Sequence, residues 1–97
     1  MGRFDLYRAR RGWLLDVQSD LIALLTTRVV IPLWPAARAP QPVRDLHPIF
    51  TIDGREFILL THLMAAVPRA ELGRPEGSLA HERDAITRAL DLLFTGF

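Results

Sequence analysis

The chain has 97 residues, of which 49% are hydrophobic, the size and apolar content of one packed domain spanning 1–97. It has no cysteine, which excludes a disulfide framework, a thiolate nucleophile and a Cys-based zinc site, and fits a reducing cytoplasm. A net charge of +1 gives no general reason to attract nucleic acid.

Residues 4–9 alternate, with Phe4 and Leu6 on one side and Asp5 and Tyr7 on the other, the period of a half-buried strand. Arg10, Arg11 and Gly12 read as a turn. Residues 13–19 alternate again, with Trp13, Leu15 and Val17 facing one way, so the two segments predict a hairpin. The run 21–27, LIALLTT, fits either a short helical turn or a loop with apolar contacts. Residues 28–34 are apolar on both faces, as in a central strand, but Pro32 donates no backbone hydrogen bond and suggests an edge, a bulge or a strand end. Four prolines make 35–48 a long connection with room for one short strand. Residues 49–52 and 55–60 flank Asp53-Gly54, a pair suited to the positive φ angles of a type I′ hairpin. Residues 68–77 read as a loop. Leu79, Ile86, Leu90, Leu93, Phe94 and Phe97 then recur at helical spacing, with Ser78 as N-cap and Gly96 as the stop.

Chemistry is sparse. There is no GxGxxG, P-loop, HExxH or GxSxG pattern, and the three histidines, His47, His62 and His81, have no metal-ligand spacing. No catalysis, cofactor or metal is expected. Ser19 and Asp20 read as strand-ending and turn-capping residues, because both side chains bond local backbone amides. All twelve basic residues are Arg. Together with the abundant Ala, Leu and Pro this reads as GC-rich coding, and the run Arg8, Arg10 and Arg11 reads as a solvated turn. The N-terminal residues have no apolar stretch of signal-peptide type, and the longest apolar run, VVIPLWPAA, is too short to span a bilayer. Neither a signal sequence nor a membrane anchor is expected.

Two segments carry a family resemblance. One is DVQSDLI at 16–22 followed by RVVIPL at 28–33, and the other is 81–84 with Ile86 and ALDLLFTGF at 89–97. Between them, Leu46-His47-Pro48 and the segment 61–68 follow the same pattern. The chain resembles the CcdB family, the toxins of plasmid-type toxin–antitoxin pairs. The resemblance implies a mainly β fold with one C-terminal helix, an SH3-like antiparallel sheet of the CcdB–MazF type with a small second sheet, and a two-fold homodimer. It implies a protein that acts by binding: it poisons the DNA gyrase A subunit, is neutralised by a CcdA-like antitoxin, and meets DNA only through the antitoxin complex, in plasmid maintenance and transcription regulation. Gyrase contacts would fall on Leu21, Ile22, Asp91, Thr95, Gly96 and Phe97. The best-known members carry Trp where this chain has Thr95, so a relative that binds antitoxin but has lost poisoning is an alternative. A MazF-like RNA endonuclease is a further one, with no nuclease motif here to support it.

Overall fold

The computed structural model describes residues 2–39 and 41–96. Strands β1 (Asp5–Ala9) and β2 (Gly12–Asp16) form the first hairpin, with Leu6 opposite Leu15 and Arg8 opposite Trp13. Strand β3 (Thr27–Pro35) lies on the other side of β2. The second hairpin, β4 (Ile49–Ile52) and β5 (Arg55–Leu59), turns at Asp53 and Gly54, whose φ angles of 51° and 80° are the two positive values of a type I′ turn. Strands β6 (Ala65–Pro68) and β7 (Gly77–Ser78) complete one antiparallel sheet of order β4-β5-β3-β2-β1-β7, with β6 attached to β3 off that path. This is the mainly antiparallel sheet expected. Its smaller part is not separate from the main sheet but shares β3 with it.

Pro32 lies inside β3 and not at an edge, a bulge or an end. Along one side of β3, β6 pairs with residues 27–30 and β5 with residues 33–35. Pro32 falls in the gap between these two partners, where its missing N–H leaves no ladder bond unmade. Its carbonyl accepts the Leu60 N–H at 3.0 Å, closing the gap from the crossover between β5 and β6.

The alternating residues of the strands put Phe4, Leu6, Trp13, Leu15, Ile31, Leu33, Phe57 and Leu59 on one face, where they form the core with Leu79 and Ile86. The helix α1 (Arg83–Thr95) buries Ile86 and Ala89 there. Burying one such aliphatic side chain contributes about 1.5–3 kcal/mol. α1 begins later than Leu79, because Ala80–Glu82 is a 3-10 turn. Ser78 is not an N-cap: that position is Leu79 in the 3-10 turn and Glu82 in α1, neither with a side-chain cap, although the Ser78 hydroxyl does accept the Ala80 N–H at 3.1 Å just ahead of the turn. On the opposite face of the sheet, Tyr7, Val30 and Leu72 make a second, smaller cluster. Among the described residues no helix is long and apolar enough to cross a membrane.

Candidate functional site

The segment between β2 and β3 turns sharply at a 3-10 turn, Asp20–Ile22, and exposes its apolar side chains. Leu21 and Leu24 are 95% and 97% exposed, and Ile22 and Leu25 are each 49% exposed. Burial does not hold these residues in place. A polar framework beneath them does, and it is built from the DVQSD residues. Asp16 and Arg28 are fully buried, and the carboxylate takes the guanidinium with both oxygens, at 2.7 and 3.0 Å. This bidentate pair raises the Arg28 pKa further, against the opposing effect of burial. Asp16 also accepts the Gln18 N–H. The Gln18 side chain then spans the loop, its oxygen accepting the Val29 N–H and its amide nitrogen donating to the Ile22 carbonyl.

The exposed ends of the segment are tied as well. The Ser19 hydroxyl accepts the Leu21 N–H, the turn-capping role expected of it, whereas the Asp20 carboxylate accepts the distant Arg3 N–H at 2.9 Å instead of a local amide and so ties the loop to the N-terminal segment. From a 3-10 turn at Arg69–Glu71, the Arg69 guanidinium donates to the carbonyls of Ala23 and Leu25, and its own N–H donates to Thr26. The loop backbone is therefore held at both ends while its leucines face water. Sequence reasoning named Leu21 and Ile22 but missed Leu24, Leu25 and the clamp by Arg69. The signal for the two leucines lay in LIALL itself, a short apolar run that fits a helical turn or a loop and has no strand alternation to send it into a sheet core.

The second group of named residues sits at the end of α1. Thr95 donates its hydroxyl to the Asp91 carbonyl at 2.6 Å, which turns the side chain back along the helix. Gly96 ends the helix with φ 80°, and its N–H donates to the Leu92 carbonyl, as a C-terminal stop requires. Asp91, Thr95 and Gly96 are exposed, and Phe94 is 69% exposed. Phe97, the last residue named from the sequence, lies outside the described residues.

The two groups occupy opposite ends of the helix. Leu21 shares a concavity of about 380 Å³ with Ser19, Ala80 and Arg83, at the first turn of α1. Asp91 and Thr95 lie farther along the axis, about 12 and 18 Å from Arg83 at 1.5 Å per residue. Within one chain the structure brings Asp91, Thr95 and Gly96 together and places Leu21 and Ile22 elsewhere.

His47 and His62 are also paired, with Nε2 and Nδ1 at 2.8 Å. The Val43 N–H donates to His47 Nδ1, so that nitrogen carries no proton and Nε2–H points at His62. Burial, and then the neighbouring His62, lower the His47 pKa below its ordinary value. The pair fastens residues 41–48 to the turn Thr61–Leu63, and among the described residues no cluster of three or more metal-ligating side chains forms. His81 lies apart, beside Ile52 and Ser78.

The family model for CcdB protein matches residues 3–96.

Proposed function

The chain belongs to the CcdB family, and from that premise we propose that it is the toxin of a type II toxin–antitoxin system, acting by binding and not by catalysis. Family membership supports a toxin-like role in such a system. The finer reading is that it binds the gyrase A subunit as a homodimer and is released or silenced by a CcdA-like antitoxin. The observation that supports it most is the apolar exposure on a rigid frame: Leu21, Ile22, Leu24 and Leu25 face water while the Asp16–Arg28 pair and Arg69 hold their backbone. Apolar side chains displayed in this way mark a surface that meets another protein. A second copy paired across a two-fold axis would present the loop and the helix end twice, through one self-complementary interface. Phe94 and the half-buried Leu92 and Leu93 supply apolar area for that pairing. Light scattering that finds only monomer at micromolar concentration removes this part of the reading.

Thr95 is where the chain departs from its best-known relatives. A Trp anchor in an interface is worth about 2–4 kcal/mol on truncation, roughly 30- to 1,000-fold in affinity. Thr95→Trp is expected to tighten binding to purified gyrase A subunit by a factor in that range and to raise growth inhibition. The fold tolerates the change, because residue 95 is exposed on the last turn. No change in either measurement removes the helix end from the gyrase site. The same departure favours a second reading, a protein that keeps antitoxin binding and has lost poisoning. In that case an acidic antitoxin tail raises the melting temperature with its concentration, while the natural chain, with Thr95, neither binds gyrase A subunit nor inhibits growth.

A further inference from the structure

The fold gathers arginines that are far apart in the sequence. Arg10 and Arg11 form the exposed turn between β1 and β2. The 3-10 turn Ala36–Arg38 follows β3 directly and brings Arg38 beside them. These three arginines, with Trp34 and Pro35, line a concavity of about 400 Å³. A second concavity, about 340 Å³, shares Arg10, Arg11 and Pro35 and adds Arg55.

Aromatic rings hold two of these four groups, Arg11 and Arg55. The Arg11 guanidinium lies 5.2 Å from the Trp34 ring centre, and Arg55 lies 5.6 Å from that of Phe57. Arg8, stacked at 4.4 Å on Trp13, is neutralised by Glu76 at 3.1 Å. Among the described residues, Arg10, Arg11, Arg38 and Arg55 have no carboxylate within ion-pair distance, and no Asp or Glu lines either concavity. Glu56 follows Arg55 in β5, but alternate residues of a strand face opposite sides, and Arg55 shares its side with Phe57. The modest net charge of +1 thus conceals a face whose four arginines are not offset locally.

We propose that this face binds the phosphate backbone of duplex nucleic acid, with phosphates seated among Arg10, Arg11 and Arg38. A guanidinium stacked on a ring keeps its N–H edge outward, in the fork geometry that fits phosphate oxygens, and gives up little freedom on binding. An acidic peptide fits the face less well. Peptide recognition needs a groove for side chains or an open strand edge for main-chain bonds. Here the rings of Trp34 and Phe57 are covered by Arg11 and Arg55, and the turn presents strand ends. What remains is charge, which reads a backbone without reading its sequence. In the sequence the Arg8, Arg10 and Arg11 run reads as a solvated turn, and only the fold shows that Arg38 and Arg55 join it.

The test is fluorescence anisotropy of the intact protein with a labelled short duplex of arbitrary sequence and, separately, with a polyglutamate peptide. Three or four phosphate contacts give a slope of log affinity against log salt of about −2.7 to −3.6, a loss of about 40- to 150-fold between 50 and 200 mM salt. Arg10→Ala and Arg38→Ala, both at exposed positions, are each expected to make the slope shallower by about one contact with the melting temperature unchanged. Arg88→Ala, on α1 and in neither concavity, leaves the slope as it was. The proposal fails if the duplex does not bind at the lower salt, if the slope ignores Arg10 and Arg38, or if polyglutamate binds this face and the duplex does not. None of these outcomes depends on gyrase, so the toxin reading is judged separately.

Discussion

Asp16 and Arg28 face each other with almost no contact with water, and the loop that carries Leu21 and Leu24 is built on them. Removing one partner of such a pair strands a charge in a low-dielectric interior, which costs about 3–5 kcal/mol, whereas replacing both by apolar groups costs far less. Arg28→Leu is therefore expected to lower the urea-unfolding free energy by that amount. Asp16→Leu combined with Arg28→Leu should recover much of it, and single costs that simply add would show the pair to be uncoupled. His47 gives a second test at this scale. Its ring is neutral in the fold, accepting from Val43 and donating to His62, and burial lowers its pKa. The unfolded chain protonates His47 first as the pH falls, at about 6.5. The stability it contributes is whole above that pH and is lost as the pH drops toward the lowered folded value, with a limiting slope of about 1.36 kcal/mol per pH unit. The urea midpoint should therefore fall between pH 7.5 and 5.5, and His47→Gln should flatten that part of the profile.

At the scale of elements, the turn into β2 depends on Gly12. A Cβ there would press into the carbonyl oxygen of Leu33, which is fixed because Leu33 pairs with both Trp13 and Leu59. Gly12→Ala is expected to cost about 1–3 kcal/mol through this overpacking, whereas Gly54→Ala meets no neighbour and its cost is the backbone strain of positive φ alone. Thermal melts of the two variants distinguish crowding from strain. Elements with a strong local pattern were legible from the sequence: both hairpins, the Asp53-Gly54 turn, and the helix with its Gly96 stop. Others depend on partners that no local window contains. β7 is two residues long and exists only as an addition to β1. β6 follows a 3-10 turn and carries no period-two pattern of burial. Ser78 accepts a local amide, as its residue type suggests, but it precedes a 3-10 turn whose N-cap is Leu79, and the α-helix begins at Arg83. The candidate site divides in the same way. The resemblance pointed to Leu21, Ile22 and the helix end, whereas the hold on the loop by Gln18 and by Arg69, which reaches across from a distant segment, is a property of the fold.

For the whole molecule, the exposed leucines separate stability from recognition. Leu24 is 97% exposed, so Leu24→Ser should change the unfolding free energy by no more than about 0.5 kcal/mol. Binding to a protein partner should nevertheless weaken, as titration against gyrase A subunit or antitoxin would show; a variant that binds as the natural chain does would place the contact elsewhere. The branched position of β3 has a consequence for how the chain reaches this state. One side of β3 accepts β2, which precedes it, but the other side accepts β5 and β6, which come later. As the chain leaves the ribosome, the half of β3 that awaits those strands stays an open edge until residue 68 is free, with Val29, Val30 and Ile31 along it. Long-range pairing of this kind slows folding to milliseconds or seconds and leaves the growing chain open to edge-to-edge association. Pro32 sits in the middle of that unpaired edge, where its missing donor interrupts the template that another strand would need. A residue that is costly in most central strands thus occupies a position of β3 where its missing donor is harmless in the finished sheet and obstructive to a foreign strand.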